Sequence, residues 1–510
     1  MLAFGMVERR GLIGLAASLL LGCSTPSDGA EDAIDETDAV PGSGGSSAAD
    51  PDDPSPGSTN PGTTTSDDPT GGPSSPSTTN ADGSTSGSSP PADCGTDLAA
   101  QFDVATLTLD VQGQQDQSVP TIVAPGLDGD LWVAWTDSPW SEGHLFAHIR
   151  HVDADLTISD EGLDIPDSIV LGLRVLDDGD LAVAHGRRTG PESSDPNWGG
   201  SPSAPAANTL FLSRFSGPDE LFRTAIRGGE GYENAPESTW FLTDGTGAAV
   251  SVAYDGTDFG LFFMIGRHFR DGGVHQADEF VMVGGDGTVH ETSRNTWINS
   301  HSFWPSALSA GGSMYTLTVA DPFPVWGVRL GTLDGGTFSQ STVWPTPDLA
   351  GQVPEGGVVA RVGALFEVEG RLAAAVRTAV DPANPAGGVS GPQRALLLTM
   401  NPDGSDAVAS PIDDTLLVDV ENDLVVAASR FGADALTLTG VGPNASVFGH
   451  APVVARVLAP DGTPLTEGVE LDARLAWSSD PVTLSDGSAA WAAIEDNVST
   501  TLQIARIGCE

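Results

Sequence analysis

The stretch LDGDLWVAW, Leu127–Trp135, returns in nearly the same form as LDDGDLAVAH, Leu176–His185. Every residue from Leu131 to Trp135 is apolar, so both faces of an extended strand here would be buried. The preceding Asp-Gly is typical of a tight hairpin turn, because glycine adopts positive φ at low cost. The repeated unit is therefore strand, Asp-Gly turn, strand.

Looser copies of this unit occur along the rest of the chain. They begin at Asp244, Gly311, Val368, Glu421 and Ser485, and the register of the first is ambiguous. A second apolar strand that runs into a turn follows each copy. These second elements begin at Leu145, Leu210, Glu279, Trp326, Ala395, Pro452 and Leu502. The sequence therefore contains seven units.

A unit of two or three apolar strands cannot bury its faces alone, so neighbouring units must stack. Seven successive units of four strands resemble a seven-bladed β-propeller. The resemblance implies an all-β fold over 94–510, with six or eight blades or two β-sandwiches as alternatives. It rests on periodicity, since neither WD40 nor kelch motifs occur.

The N-terminal sequence has the pattern of an export signal. A basic pair, Arg9-Arg10, precedes an apolar run, Gly11–Leu21, that is too short for a stable membrane span. The run ends in Leu-Leu-Gly-Cys23, which resembles the lipobox of bacterial lipoproteins. The resemblance implies a signal peptide at 1–22, cleavage before Cys23 and lipid on its sulfur. Ser24 after the cysteine implies the outer membrane of the cell envelope, facing either the periplasm or the outside.

Residues 23–93 are rich in Ser, Thr, Gly, Pro and Asp and cannot bury enough apolar surface to fold. We expect a disordered tether there and a folded domain over 94–510. The folded part carries 56 acidic residues against 19 arginines, which gives a net charge of −37. Such a field disfavours nucleic acid as a partner. We expect a monomer held at a membrane by its lipid.

Two cysteines remain for the folded part, Cys94 near its start and Cys509 near its end. In an exported protein such a pair most simply forms a disulfide. In a propeller the last blade is usually completed by an N-terminal strand, here Val104–Val111. That arrangement would bring both cysteines together.

The longest connections, 136–143, 186–207, 267–277 and 378–392, fall on one face of a propeller. Binding residues usually lie on long loops, so this face is predicted to bind a glycan or a protein. Its scarce arginine, histidine and tryptophan residues suit anionic or sugar-like ligands, although they would equally pair with acids or pack between blades. The candidates are Trp140, Arg187, Arg188, Trp198, Arg267, His268, Arg270, His301 and Trp304.

Metal binding has weaker support. His144, His148 and His151 share one segment, but the first two would lie about 14 Å apart on a strand, too far for one zinc ion. Asp128-Gly-Asp130 and Asp177–Asp180 resemble calcium ligands, yet hairpin turns explain them equally and no EF-hand spacing occurs. We expect no cofactor, with calcium as an alternative.

Two functions remain open. The first is a lipid-anchored, non-catalytic binding or scaffold module. The alternative is an extracellular hydrolase of the glycosidase or sialidase type. A sialidase would need Asp-box repeats, an arginine triad and a nucleophilic tyrosine, and "SDGSAAW" at Ser485 has the wrong spacing for an Asp box. Other glycosidases need two carboxylates, which the sequence cannot single out among so many acids.

Overall fold

The structure is a computed structural model that describes residues 94–114, 119–137, 146–187, 209–228, 238–242, 250–269, 274–290, 303–320, 327–334, 337–344, 358–379, 393–419, 422–443, 452–476, 480–496 and 498–509. All of them lie in one compact unit, Ser88–Glu510. Within these ranges the regular secondary structure is entirely β. In this part of the chain no helix has the length and apolar composition needed to cross a membrane.

The strands follow one another in chain order and fall into consecutive groups. They are β1 (Phe102–Gln114); β2 (Ile122–Pro125), β3 (Leu131–Asp137), β4 (Phe146–Val152) and β5 (Ile158–Pro166); β6 (Ser168–Val175), β7 (Leu181–Arg187), β8 (Thr209–Ser216) and β9 (Asp219–Gly228); β10 (Ser238–Leu242), β11 (Ser251–Tyr254), β12 (Asp258–Phe269) and β13 (Val274–Gly284); β14 (Phe303–Ala310), β15 (Ser313–Ala320), β16 (Gly327–Asp334) and β17 (Thr337–Trp344); β18 (Val358–Val362), β19 (Phe366–Val368), β20 (Arg371–Ala379), β21 (Gln393–Met400) and β22 (Val408–Pro411); β23 (Asn422–Phe431), β24 (Asp434–Pro443), β25 (Val453–Leu458) and β26 (Val469–Leu471); β27 (Val482–Thr483), β28 (Ala489–Ile494) and β29 (Val498–Ile507).

These strands form antiparallel sheets of neighbouring hairpins. We number the groups as blades: blade 1 is β2–β5, blade 2 is β6–β9, blade 3 is β10–β13, blade 4 is β14–β17, blade 5 is β18–β22, blade 6 is β23–β26, and blade 7 is β27–β29 with β1. Blades 7 and 1 share one sheet, because the end of β1 pairs with the end of β3 at Gly113↔Asp137 and Gln114↔Thr136. This grouping covers the described strands, and the blade count of the whole chain stays a prediction.

The innermost strands contact one another in a closed cycle. Strand β2 contacts β6, β6 contacts β11, β11 contacts β14, and β14 contacts β18; β19 then contacts β23, β23 contacts β27, and β27 returns to β2. A series of four-stranded sheets whose inner strands close on themselves is a β-propeller. The predicted fold class is confirmed.

Strand β3 lies between two blades, as its sequence predicts. Leu131 and Val133 belong to an apolar cluster with residues of blade 7, whereas Ala134 packs with residues of blade 2. Val133 and Ala134 are fully buried. Each buried Leu or Val side chain contributes about 1.5–3 kcal/mol, so packing between blades is a main source of stability.

Blade 7 combines the two ends of the folded chain. Strand β1 pairs with β29 from Phe102↔Ile507 to Leu107↔Leu502. Beside this pairing, Cys94 and Cys509 form a disulfide with their Cα atoms 4.4 Å apart and 415 positions between them in sequence. The predicted closing strand and the predicted disulfide are both confirmed.

The two ends of the blades differ. The Asp-Gly turns lie at one end, which we call the turn face, and Gly129 and Gly179 there have φ of 81° and 86°. The connections between second and third strands and the crossovers between blades lie at the other end, the crossover face. Positive φ explains why glycine occupies these turns. The predicted hairpins are therefore present.

A repeated cationic clamp joins blades on the turn face. Arg214 on β8 binds Asp178 and Asp180 of its own blade, at 2.6 and 2.8 Å, and the Gly285 carbonyl of the next blade at 3.5 Å. Arg506 on β29 makes the equivalent contacts with Asp486 and with the Ala154 carbonyl. Internal repetition thus extends from the strands to their contacts.

Candidate functional site

The predicted ligand face is only partly described. Trp140, Arg188, Trp198, Arg270 and His301 lie outside the described residues. The backbone places the other candidates at strand ends on the crossover face: Arg187 ends β7, Arg267 and His268 lie near the end of β12, and Trp304 is the second residue of β14. That these residues form one ligand site stays a prediction.

An acid and an arginine from two blades that are not neighbours come together on the inner side of the ring. Asp480 is in the crossover to blade 7, two residues before β27, and Arg361 is on β18, the inner strand of blade 5. The Asp480 Oδ1 atom is 3.8 Å from the Arg361 Nη2 atom. Blade 6 lies between these two blades in chain order. We call the position of Asp480 and Arg361, at the crossover end of the inner strands, the axial mouth.

The surroundings of Asp480 are mixed in polarity. Its side chain is 30% exposed, whereas that of Arg361 is 2% exposed. The Asp480 Oδ1 atom is itself shielded from solvent and accepts no hydrogen bond. The backbone at Gly363 lies against it, because a Cβ added to Gly363 would be 3.0 Å from Oδ1. Asp480 is therefore held closely on one side and open on the other.

This environment favours the protonated carboxyl. Burial raises the pKa of Asp480, and the charge of Arg361 and the nearby Ala364 N–H lower it; burial prevails, so the pKa lies above its usual value. A carboxylic acid with a raised pKa keeps its proton to a higher pH than a free one and can donate that proton in a reaction. Such a perturbed pKa makes Asp480 a candidate functional group.

A second arginine lies beside the first. Arg361 on β18 and Arg377 on β20 are directly opposite each other, and Arg377 is 5% exposed. The Nη1 group of Arg377 donates to the Gln393 side chain and to the Leu424 carbonyl, both at 3.4 Å. Two buried guanidinium groups therefore lie on one face of blade 5, and Arg377 holds the edge of blade 6 through the Leu424 carbonyl.

Blade 1 holds a different polar cluster on its side facing blade 7. The His148 ring lies between Asp137, at 2.9 Å, and Asp164, at 2.6 Å, and stacks on Trp135 with ring centroids 5.1 Å apart. Burial is the largest single influence on the pKa of His148 and lowers it, but the two carboxylates outweigh burial and raise the pKa. Because Asp137 pairs with β1, we interpret this cluster as part of the ring closure.

The histidines considered for metal binding have other partners. His148 binds two carboxylates, and His151 binds Asp130 at the position that Arg214 occupies in blade 2. His144 lies outside the described residues. In the described ranges no group of three or more His, Cys, Asp or Glu side chains is arranged to hold a metal ion. The absence of a cofactor, and calcium as its alternative, stay predictions.

Sequence reasoning missed the axial pair. Asp480 occurs in SSDPV and Arg361 in VVARV, and neither segment matches a catalytic motif. Their proximity arises from the closure of the ring, which places residues 119 positions apart over one axis. The one sequence feature that could have indicated Asp480 is its position just before a predicted inner strand. Many other acidic residues share such positions.

Comparisons with known proteins name no family. No family model matches the chain, and no curated protein matches it. Among solved structures, the chain is similar to a prolyl endopeptidase, with 11% identity, a TM-score of 0.37, and coverage of 74% of this chain and 45% of that one. The chain thus spans less than half the length of that protein.

Two further solved structures show the same low similarity. One is the β-propeller domain of the trilobed protease from Pyrococcus furiosus, with 8% identity, a TM-score of 0.37, and coverage of 75% of this chain and 90% of that one. The other is the GH93 α-L-arabinofuranosidase of Fusarium graminearum in complex with arabinobiose, with 10% identity, a TM-score of 0.37, and coverage of 66% and 92%. Similarity at this level carries no argument about function, which must rest on the site.

Proposed function

We propose that this protein is an exported hydrolase that cleaves glycosidic bonds at the axial mouth, with Asp480 as the general acid. The observation that carries the proposal is the geometry of Asp480, a 30% exposed acid whose Oδ1 atom is 3.8 Å from the buried Arg361, and the direction in which burial shifts its pKa supports it. Cleavage of a glycosidic bond needs a protonated carboxylic acid to donate to the leaving oxygen. Arg361, which is buried beside it, would orient the acid.

This proposal adopts the alternative of the sequence analysis. A close ion pair with Arg361 would lower the pKa of Asp480, whereas here burial outweighs the arginine. That direction is the one that a general acid needs.

The test is hydrolysis of a panel of aryl glycosides and polysaccharides by the full mature chain. We expect activity on at least one member, and Asp480→Asn should lower it by about 100-fold or more. Asp472→Asn is the matched control, because Asp472 is an exposed acid in the same crossover; it should keep wild-type activity. Equal activity of Asp480→Asn and wild type would contradict the proposal.

Glycan-array binding by the same protein tests the non-catalytic module. Binding without turnover on any panel member would favour that function instead. Where turnover is found, replacing the acids of 94–510 one at a time would identify the second carboxylate that the reaction requires.

We propose further that Cys23 carries the lipid that holds the protein at the outer membrane, with 23–93 as its tether. The support is the lipobox resemblance of the N-terminal sequence. Metabolic labelling with a fatty-acid analogue tests it: wild type should be labelled and recovered with membranes, and Cys23→Ala should be neither. An unlabelled wild type would contradict lipidation.

A further inference from the structure

A buried histidine ends the second copy of the repeated stretch. His185 on β7 is fully buried, and its ring stacks on that of Phe211 on β8, with ring centroids 5.6 Å apart. At the equivalent position of blade 1 the chain has Trp135. Blade 2 therefore places a titratable ring where blade 1 has an indole.

Both nitrogens of the His185 ring lie beside serine hydroxyls. The Nε2 atom is 3.0 Å from the Oγ atom of Ser213 on β8, and the Nδ1 atom is 3.3 Å from the Oγ atom of Ser168 on β6. Both serines are fully buried. A serine hydroxyl has one hydrogen to donate, so its other partner determines whether it donates to the ring or accepts from it.

The hydrogen of the Ser213 hydroxyl is used on the outer side of the blade. The hydroxyl donates to the Oε1 atom of Glu220, on β9, at 2.9 Å. Arg223 donates to both oxygens of Glu220, at 2.7 and 2.8 Å, which keeps that group a carboxylate without a hydrogen of its own. The Ser213 oxygen is therefore left to accept from the Nε2 group of His185.

The hydrogen of the Ser168 hydroxyl is used in the same way. It is donated to the Pro166 carbonyl, which can only accept, at 3.0 Å. The Ser168 oxygen is thus left to accept from the Nδ1 group of His185. With a hydrogen on each ring nitrogen, His185 is a charged imidazolium, and stacking on the Phe211 ring suits a cation.

The side of His185 that faces blade 1 is apolar among the described residues. Val183, on the same face of β7, belongs to an apolar cluster between the two blades. The fully buried blade 1 members of that cluster carry no charge; they are Ala124, Ala134, Ala147, Ile149, Leu163 and Ile165. His148, Arg150 and Asp164 of blade 1 lie on its other face, toward blade 7.

Blade 2 itself supplies the counter-charge. Other charged residues of this blade are placed differently: Arg174 and Arg214 lie toward blade 3, Asp167 and Asp219 are exposed, and Arg187 pairs with Ser168 through its backbone. Glu220 is the charge that a hydrogen-bonded line connects to His185. Because a buried charge is costly unless it is paired, the imidazolium depends on this line.

We propose that His185 is a proton-dependent latch of blade 2. In its charged form the ring joins β6 to β8, and through Ser213 to β9, near the crossover end of the blade. When one ring nitrogen loses its hydrogen, one serine must release its other partner or lose its bond to the ring, so the line across the four strands is broken. The latch lies beside the connection 186–207, the longest of the predicted ligand face. The inference is independent of the proposed function.

The charge is measured by NMR on the full mature chain with isotope-labelled histidine. The His185 signals are assigned from their contacts with the Phe211 ring. At about pH 7.5, roughly one unit above the midpoint of a free histidine, we expect a hydrogen on both ring nitrogens. A ring with one unprotonated nitrogen at that pH would overturn the proposal.

Two variants test the line to the carboxylate. Glu220→Gln removes the counter-charge at a side chain that is 30% exposed, so the fold should be kept. It should lower the pH at which His185 loses a ring hydrogen by about one unit, and Ser213→Ala should shift that pH in the same direction. Thr136→Val is the matched control, because the Thr136 hydroxyl accepts from the Val170 N–H at 3.1 Å in the same seam. An equal shift in Thr136→Val, or no shift in Glu220→Gln, would contradict the role of the line.

Backbone hydrogen exchange tests the latch itself. Protection factors, corrected for the intrinsic effect of pH, should fall about tenfold in β7 and β8 as pH rises through the His185 midpoint. Those of β20 and β21 in blade 5 should not change, and His185→Gln should show no such step. Protection in β7 and β8 that stays constant, or a step that persists in His185→Gln, would show that the charge holds nothing and would overturn the proposal.

Discussion

The Asp480 Oδ1 atom lies 3.8 Å from the Nη2 atom of Arg361, on the inner strand two blades earlier in the ring. Blade 6 stands between the two residues along the chain, so the contact requires that blades 5, 6 and 7 pack in order. Stacking of these blades and formation of the candidate site therefore occur together.

Replacing Asp480 should change stability in a pH-dependent way. A carboxyl whose folded pKa is raised destabilises the fold on ionising, so wild type should lose stability as pH rises from about 4 through the folded pKa. Asp480→Asn lacks this loss. We expect its stability relative to wild type to increase over that range and then level off. Chemical denaturation at several pH values measures the free energy of unfolding of both proteins. If the stability of Asp480→Asn relative to wild type decreased as pH rises, the raised pKa would be contradicted.

His148 should show a dependence of the same sign in a higher pH range. Its folded pKa is raised, so its charged form stabilises the fold fully below about pH 6.5, and this contribution is lost as pH rises through the folded pKa. The stability of wild type relative to His148→Gln should therefore fall over that range. Asp164→Asn removes one of the two carboxylates and should reduce the pH dependence. A difference independent of pH would exclude the ion pairs.

The disulfide should stabilise the closed ring. Removing a native disulfide from an exported domain costs about 2–5 kcal/mol. The double variant Cys94→Ser/Cys509→Ser should show a loss of this size in denaturant unfolding. Adding a reductant should lower wild-type stability to the same level and leave the double variant unchanged. Equal stability of both proteins under oxidising conditions would show that the bridge does not form.

Residues at equivalent positions of the repeat should contribute equally to the free energy of unfolding. Leu131 and Leu181 begin the second strands of blades 1 and 2 and are 1% and 3% exposed. Leu131→Ala and Leu181→Ala should each cost about 2–5 kcal/mol. Leu127 is 49% exposed in the turn before β3, and Leu127→Ala should change stability by less than about 0.5 kcal/mol. Unequal losses at the two buried positions would argue against equivalence of the blades.

The local features were predictable because they follow from neighbouring residues. The Asp-Gly turns need positive φ at Gly129 and Gly179, and the apolar run of β3 needs burial on both faces. The closing strand and the Cys94–Cys509 disulfide follow once the ring is assumed. The turns and the buried strand thus depend on patterns within one segment, whereas the closing strand and the disulfide depend also on the predicted ring.

The axial site was not predictable in the same way. The pKa of Asp480 depends on burial by segments that are far away in sequence. The residues next to Asp480 do not indicate that burial. The break between β18 and β19 at 363–365 has no turn residues beyond Gly363, so a strand pattern alone does not show it. The ligand face was predicted from the length of its loops and from its rare residue types. Neither feature identifies residues of the inner strands as part of a site.

The central claim is that a protonated Asp480 acts at the axial mouth, and the pH dependence of kcat/KM tests it most directly. For a glycoside that the protein cleaves, kcat/KM should fall as pH rises through the raised pKa of Asp480, with the midpoint above the ordinary value of about 4. The residual activity of Asp480→Asn should lack this decline. A decline that persists unchanged in Asp480→Asn would contradict the account.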